Sequence, residues 1–262
     1  MTVSPSGSPA GKNSKALNTA VTCLEFILGF TVLVFTAVSA YALGCRFYMA
    51  KGIYYDGYFG TTVTGARDNI TAADIRSGTK IIGEEAFLCS QGLEKVNIPQ
   101  GVTEIKARAF FICEKLKTVS IPDSVTVAGD FAFAACESLE SIELPPNLTV
   151  IPPACFVGDS SLRSVIMPQN VTKIDSGAFF KCPSLESVDL PDSLTVIGEE
   201  AFRQCGLRSI TIPDSVTMIE KRAFAECPKL KYVSVSAQTE IADKAFPPKT
   251  KIIRRRAPSP QK

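Results

Sequence analysis

Nine cysteines and several adjacent carboxylates are the most reactive side chains of this chain, which contains no histidine. Histidine is the usual general base, the usual partner of a serine or cysteine nucleophile and the commonest metal ligand, so those kinds of site are excluded. No glycine-rich phosphate-binding motif lies between a predicted strand and a predicted helix. The sequence therefore predicts a protein that is not an enzyme and that needs no cofactor and no metal.

Most of the cysteines recur at nearly regular intervals instead of forming the close pairs of a zinc site. Five of them stand three residues after a phenylalanine, at Cys113, Cys136, Cys182, Cys205 and Cys227. Cys89 stands two residues after a phenylalanine, and Cys155 directly precedes one. We predict buried free thiols that behave as small hydrophobic side chains. The alternative is a disulfide between neighbouring members, which would lie within bonding range of one another.

The carboxylate pairs Glu84–Glu85 and Glu199–Glu200 stand at the same distance before a phenylalanine. Both pairs fall on the predicted outer arc of the repeat, where charges are typical of a solvated face. We therefore predict that these residues lie on an outer surface and have no catalytic role.

The elements that must position these side chains repeat along the chain, with a period of 23 residues that shortens once to 22 in the proline column. Phenylalanine recurs at Phe87, Phe110, Phe133, Phe156, Phe179, Phe202, Phe224 and Phe246. An apolar residue followed by proline recurs at Ile98, Ile121, Leu144, Met167, Leu190 and Ile212. Leucine recurs at Leu93, Leu116, Leu139, Leu162, Leu185, Leu207 and Leu230. Self-similarity at a fixed period predicts a solenoid.

Each repeat predicts one short strand. Val96 and Ile98 alternate with polar residues, which is the period of a strand with one buried face. Pro99 cannot donate to a ladder and so ends the strand. No repeat can bury its apolar side alone, but stacked repeats cover one another, with their strands aligned in parallel.

The written unit, I-x-x-x-A-F-x-x-C-x-x-L-x-x-V-x-I-P-x-S-V-T, resembles the BspA-like leucine-rich repeat family over residues 70–253. The resemblance implies an α/β leucine-rich repeat solenoid, with a parallel strand ladder on one face and short helices or 3₁₀ turns on the other. It also implies a class of function, because members of the family serve in adhesion and protein contact at cell surfaces.

The ends of the array depart from the unit. Residues 70–75 form a degenerate first coil, with Ala73 and Ile75 in the strand columns. At the other end, Ile252 and Ile253 fall where an eighth leucine would stand. Beyond the array, the absence of apolar periodicity predicts disordered basic tails at residues 1–16 and 254–262, and residues 46–69 are predicted to be a juxtamembrane linker.

A transmembrane signal-anchor helix is predicted at residues 17–45, because residues 26–45 carry no charge and could cross a bilayer core. Tyrosines concentrate at and just after the end of this segment, which suits a membrane interface. The alternative is a cleaved secretory signal, since the V-S-A at residues 38–40 is an acceptable cleavage site. Glu25 and the long preceding segment argue against cleavage.

A type II orientation, with the repeats extracellular or lumenal, fits a short N-terminal tail before a large domain. Flanking basic residues balance and do not decide the orientation. Candidate N-glycosylation sites at Asn69, Asn147 and Asn170 favour it. The alternative is that Asn147 and Asn170 merely replace the serine of the repeated S-V-T.

The strand face, which is the predicted concave face, consists in each coil of the residues aligned with Glu94, Lys95 and Asn97. Its first column nearly alternates in charge and is interpreted as a feature that sets the register of the coils. The other columns are mostly small and polar. Ile166, Asp189 and Tyr232 stand out and are the predicted contact residues, with drift in a tolerant repeat as the alternative explanation.

The predicted function is a membrane-anchored, outward-facing module that binds a protein or glycan partner at the cell surface. Its contact with the membrane is the helix at residues 26–45. Residues 52–248 hold 18 basic and 25 acidic residues, so no nucleic-acid partner is expected. The alternative function is a structural scaffold, secreted or intracellular, without a dedicated ligand.

Overall fold

A computed structural model of the chain describes residues 48–56, 60–67 and 69–256. The predicted tail at residues 1–16, the predicted transmembrane helix at residues 17–45 and residues 257–262 lie outside this description. In the part of the chain that it covers, no helix has the length and apolar character needed to cross a membrane.

The described residues form short strands and turns, without any helix. In chain order the strands are β1 (Tyr48–Ala50), β2 (Ile53–Tyr55), β3 (Thr62–Ala66), β4 (Ala72–Asp74), β5 (Ile81–Ile82), β6 (Lys95–Asn97), β7 (Glu104–Ile105), β8 (Thr118–Ser120), β9 (Val127–Ala128), β10 (Ser141–Glu143), β11 (Val150–Ile151), β12 (Ser164–Ile166), β13 (Lys173–Ile174), β14 (Val196–Ile197), β15 (Ser209–Thr211), β16 (Met218–Ile219), β17 (Tyr232–Ser236), β18 (Glu240–Ile241) and β19 (Lys251–Arg255).

Two parallel ladders run along the array. The first ladder holds the strands predicted from the sequence, namely β4, β6, β8, β10, β12, β15 and β17, followed by β19, which the sequence did not predict. The second ladder holds β5, β7, β9, β11, β13, β14, β16 and β18. Equivalent residues pair one coil apart, as Val96 pairs with Val119 in the first ladder and Ile174 with Ile197 in the second. The predicted solenoid with parallel strands is thus confirmed, and the second ladder is an addition to it.

The phenylalanine column forms one continuous stack inside the array. Successive rings from Phe87 to Phe246 lie 5.0 to 5.7 Å apart between centroids and within 5° to 10° of parallel. The first seven rings are fully buried, and only Phe246 at the end of the stack is half-buried. The prediction of a buried phenylalanine stack is confirmed.

The prediction of short helices or 3₁₀ turns opposite the strands is wrong. Around each phenylalanine, alternate N–H groups donate to the next coil, as Phe87 N does to Ala109 O at 2.8 Å. The N–H groups between them close turns within the coil, as Leu88 N does to Glu85 O at 3.0 Å. An α-helix would need every N–H for bonds along its own axis. The segment therefore forms a third set of hydrogen bonds between coils.

Each ladder is interrupted. The first ladder breaks between β8 and β10 and again between β12 and β15. Residues 187–189, predicted to be a strand, are not one, and residues 187–190 form no backbone hydrogen bond with either neighbouring coil. The next coil is one residue shorter between Phe202 and Leu207, which disturbs the strand alignment. The second ladder breaks between β9 and β11. There Pro152 occupies the position from which other coils donate an N–H, and proline has none to donate.

Both ends of the array are more ordered than the sequence predicted. The predicted linker at residues 46–69 contains β1, β2 and β3, and β3 pairs in parallel with β5. Arg254 and Arg255, predicted to begin a disordered tail, lie in β19 instead. The expectation that Ile252 and Ile253 continue the leucine column is also wrong, because they pair with Val233 and Ser234.

Candidate functional site

The three predicted contact residues are all exposed on the strand face. Ile166 on β12 is 58% exposed and Tyr232 on β17 is 52% exposed, large fractions for side chains with so much apolar surface. Asp189 is exposed as well, in the segment that fails to form a strand. Ile166 is aligned with Glu143 and Tyr232 with Ser209, so these side chains stand beside polar residues.

Ile166 and Tyr232 do not form one compact patch. Three coils separate them, which at the usual strand spacing is about 14 Å along the array, and they are offset by about 7 Å along the strands. Asp189 lies one coil from Ile166, but no backbone hydrogen bond joins the two coils there. A partner that touches all three residues must therefore cover several coils, as an extended surface does.

Ion pairs on the strand face join neighbouring coils, as the alternating charges predicted. Lys117 contacts Glu94 and Arg208 contacts Glu186, both at 2.9 Å across adjacent coils, whereas Lys229, which contacts Glu186 at 2.7 Å, lies two coils away. Hydrogen bonds from these cations lower the pKa of Glu94 and Glu186. The paired charges have each other as partners, so they are poorly suited to capture a ligand.

The cysteine column lines the interior as free thiols, as predicted. The five thiols that stand three residues after a phenylalanine donate to phenylalanine carbonyls of the preceding coil at 3.0 to 3.3 Å. Burial raises the pKa of Cys113 to about 12 and that of Cys227 to about 11. Protonated, enclosed thiols are poor nucleophiles. Cys89 is the exception, because it is exposed.

Asp159 is a buried carboxyl in the cysteine column, and the sequence prediction gave it no role. Its Oδ1 accepts a hydrogen bond from Cys136 N at 2.9 Å, whereas its Oδ2 has no partner among the described residues. Burial, together with the neighbouring thiol of Cys182, raises the pKa of Asp159 well above its ordinary value. The signal in the sequence was its position three residues after Phe156, where other coils place cysteine.

All three candidate glycosylation sites are exposed, but two of them serve the packing of coils. Asn147 Nδ2 donates to Asp123 O at 2.9 Å, and Asn170 Nδ2 donates to Pro146 O at 3.0 Å. Serines at the same point of other coils donate to the preceding coil in a similar way, as Ser193 does. The amide of Asn69 makes no hydrogen bond with the described residues.

The outer carboxylate pairs contact arginines. Arg108 contacts both Glu84 and Glu85 at 2.8 Å, and Glu200 contacts Arg203 and Arg222 at 3.0 and 3.3 Å. These are ion pairs on an exposed surface, which is the arrangement that the sequence predicted for them. Across residues 48–56, 60–67 and 69–256, no group of three or more ligand side chains is arranged to hold a metal ion.

The sequence prediction missed a group of residues beside Tyr232 at the end of the array. Lys251 on β19 lies directly opposite Tyr232, and Ile253, two residues further along, is 46% exposed. β19 itself was missed because its coil is shorter than the period. The excess of basic residues after residue 248 was the available signal.

Comparison with known proteins is consistent with this architecture. A family model described as BspA type leucine rich repeat region matches six copies, over residues 66–185 and 172–259. No curated protein matches the chain.

Two solved bacterial structures have a similar fold. A leucine-rich repeat protein from Eubacterium ventriosum is 27% identical with a TM-score of 0.65, and the match covers 70% of this chain. The match covers 50% of that protein, so this chain spans about half its length. A leucine-rich repeat protein from T. pallidum is 25% identical with a TM-score of 0.53, and the match covers 74% of this chain and 84% of that one.

Proposed function

Because the chain belongs to the BspA-type leucine-rich repeat family, we propose that its strand face binds a protein or glycan partner at a cell surface. The exposure of Ile166 and Tyr232, at 58% and 52%, carries this proposal. Apolar and aromatic side chains on a face of small polar residues are typical anchors for a partner, whereas paired charges contribute little.

The proposal places the repeats outside the cell or in a lumen, held by the predicted helix at residues 26–45. Its support is the charge-free length of that segment and the exposed acceptor Asn69. Carbonate washing should leave the protein in the membrane fraction, and external protease should degrade the repeats of intact cells. A mature N-terminus at Tyr41 would instead indicate a cleaved signal and a secreted protein.

The binding face is tested by capture of partners from a surface extract with the full-length protein. The double variant Ile166→Asp/Tyr232→Ala should lose capture while its thermal melting curve is unchanged. The control Thr118→Ala/Ser120→Asp changes exposed residues of β8 on the same face and should retain capture. Treating the extract with protease or glycosidase distinguishes a protein partner from a glycan. Capture by the double variant as strong as by the natural chain would exclude this face.

The inter-coil ion pairs favour a second candidate, a structural scaffold without a dedicated ligand. Glu94–Lys117 and Glu186–Arg208 use strand-face charges to hold neighbouring coils together. A scaffold requires only a stable array, so the double variant would then leave attachment and localisation in cells unchanged.

A further inference from the structure

The last strand of the first ladder has an open edge. β19 pairs with β17 over five residues, whereas the other described pairs in this ladder extend over three. No other described strand pairs with its outer edge, and four of its five side chains are exposed. An exposed edge of this length can accept another strand.

The backbone bonds of β19 show which groups face outward. Lys251 N donates to Lys231 O at 2.8 Å, and Arg255 O accepts from Ala237 N at 2.8 Å. In a parallel ladder, alternate residues direct both backbone groups to the same side. The N–H and C=O of Ile252 and Arg254 therefore point away from β17 and are free to pair with an added strand.

Two arginine side chains hold β19 in place. The guanidinium of Arg254 donates to the carbonyls of Ser236, Ala237 and Thr239 at 2.8 to 3.3 Å. Arg255 reaches back two coils to the carboxylate of Asp214 at 2.5 Å. A strand fixed in this way loses little conformational entropy when a peptide joins it.

The side chains around this edge define the chemistry of the occupant. Ile252 and Ile253 are 41% and 46% exposed. Lys249, Lys251 and Arg256 form no ion pair with described residues, and residues 249–262 contain no acidic residue. A second copy joining through the same edge would bring like charges together, which is unfavourable. An extended segment that alternates acidic and apolar residues places its apolar side chains on the face of Ile252 and its acidic side chains on the opposite face, beside Lys251.

We propose that the outer edge of β19 binds an extended acidic segment of a partner protein as an added strand. This site uses backbone groups at the end of the array instead of the side chains of Ile166 and Tyr232, although Lys251 lies directly opposite Tyr232. The competing explanation is that the basic side chains only protect the edge from aggregation.

The experiment measures binding of labelled ten-residue peptides to the full-length protein. A peptide alternating glutamate and valine should bind about tenfold more tightly than one alternating lysine and valine. A control peptide has the glutamate–valine sequence with its two central valines replaced by proline, so it keeps the charge but has fewer N–H donors. The unmodified glutamate–valine peptide should also bind about tenfold more tightly than this control. Equal binding of the proline peptide would overturn strand addition, and no binding of any peptide would favour edge protection.

Variants locate the site. Ile252→Pro removes an outward N–H without removing a ladder bond and should reduce binding about tenfold with an unchanged melting temperature. Lys249→Glu/Lys251→Glu should reverse the preference between the acidic and basic peptides. Lys95→Glu/Lys106→Glu makes the same charge change at a remote coil and should have no effect. Unaltered binding by both edge variants, or a dimer that excludes the peptides, would overturn the proposal.

Discussion

At the level of single residues, Asp159 is the clearest conflict between a side chain and its position. In other coils the thiol at this point donates to a buried carbonyl, but an ionised carboxylate has no proton to donate. Its burial without a partner for Oδ2 disfavours the charged form. Burial therefore favours the neutral acid form of Asp159, and keeping the carboxyl neutral becomes more costly as the pH rises.

Replacing Asp159 with Asn should stabilise the fold by an amount that grows with pH. The variant keeps an acceptor for Cys136 N and does not ionise. The folded pKa lies above the ordinary value of 3.8, so the natural chain is free of the penalty below that pH and loses stability as the pH rises from there. The limiting slope is about 1.4 kcal/mol per pH unit.

Urea unfolding of both proteins at pH 4 and pH 7 measures this difference. The nearby thiols of Cys136 and Cys182 have pKa values raised well above their ordinary range and do not ionise in this interval. Asp159→Cys, which places a cysteine where other coils have one, is the second variant. Its stabilisation relative to the natural chain should also grow as the pH rises. A stabilisation that is equal at the two pH values would show that Asp159 is already ionised in the fold.

Phe179→Ala should lower the free energy of unfolding by about 3 to 5 kcal/mol, because rings on both sides cannot close the resulting cavity. Phe179 lies 5.3 Å from Phe156 and 5.2 Å from Phe202. Denaturant unfolding measures the loss. Phe180→Ala is the matched control. Because Phe180 is only half-buried, this substitution should lower the free energy of unfolding by less. Equal losses would mean that the stack contributes nothing beyond ordinary burial.

At the level of elements, the turns around each phenylalanine explain several departures from the repeat. The residues two before and two after a phenylalanine take positive φ values, as Glu85 and Cys89 do at 56° and 54°. Glycine adopts this conformation without steric cost. Gly158 and Gly177 occupy two of these positions, with φ values of 83° and 63°. Gly158 therefore satisfies a requirement of the turn.

The shortened coil depends on Gly206. A Cβ at this position would lie 2.2 Å from the carbonyl oxygen of Pro183, which belongs to the backbone and cannot rotate away. Gly206→Ala should therefore destabilise the protein by about 1 to 3 kcal/mol. Thermal unfolding checks this. Gly65→Ala is the control, because its nearest contact is the Tyr54 side chain at 3.4 Å. A variant as stable as the natural chain would mean that the two coils are not in close contact.

At the level of the whole molecule, the array is a row of coils in which each coil contacts its neighbours, and the two ends of the row are covered by different residues. Neighbouring coils bond through the turns and, where the ladders are unbroken, through the two ladders, so stability is transmitted from coil to coil. At the N-terminal end, the cap includes Tyr55, which is fully buried beneath the guanidinium of Arg76 at 4.0 Å from its ring. At the C-terminal end, Arg254 donates to three carbonyl groups that accept no hydrogen bond from another coil of the described residues.

Arg254→Ala/Arg255→Ala should loosen the C-terminal coil and leave the opposite end unchanged. The carbonyls of Ala237 and Thr239 lose their donor, and that of Ser236 keeps only Thr239 N, so β17 and β19 should exchange amide hydrogens faster while β4 and β6 do not. Hydrogen exchange with mass spectrometry measures both ends at once.

Arg163→Ala is the control for this experiment, because Arg163 is an exposed arginine without an ion pair to any described residue. It should leave exchange unchanged throughout. Faster exchange over the whole array in the double variant would show that the array unfolds as one unit, contrary to a model of coupled neighbours.

The candidate sites were only partly predictable. The sequence identified Ile166 and Tyr232 because they depart from the small polar residues of their columns, and the structure finds both exposed. It did not identify the edge of β19, because that strand follows a coil too short to keep the period. The sequence also did not show that the two candidate glycosylation sites Asn69 and Asn147 differ. The side-chain amide of Asn147 donates a hydrogen bond to the preceding coil.

The sequence by itself determined the period, the parallel first ladder and the buried stack from Phe87 to Phe246. The reason is physical: identical residues at a fixed spacing can bury their apolar side chains only against their own counterparts in the next coil. The tertiary structure alone decided the turns in place of helices, the missing strand at residues 187–189, the unpaired carboxyl of Asp159 and the open edge of β19. Each of these features depends on whether a backbone or polar group has a hydrogen-bond partner in an adjacent coil. The sequence of a single repeat does not determine whether that partner is present.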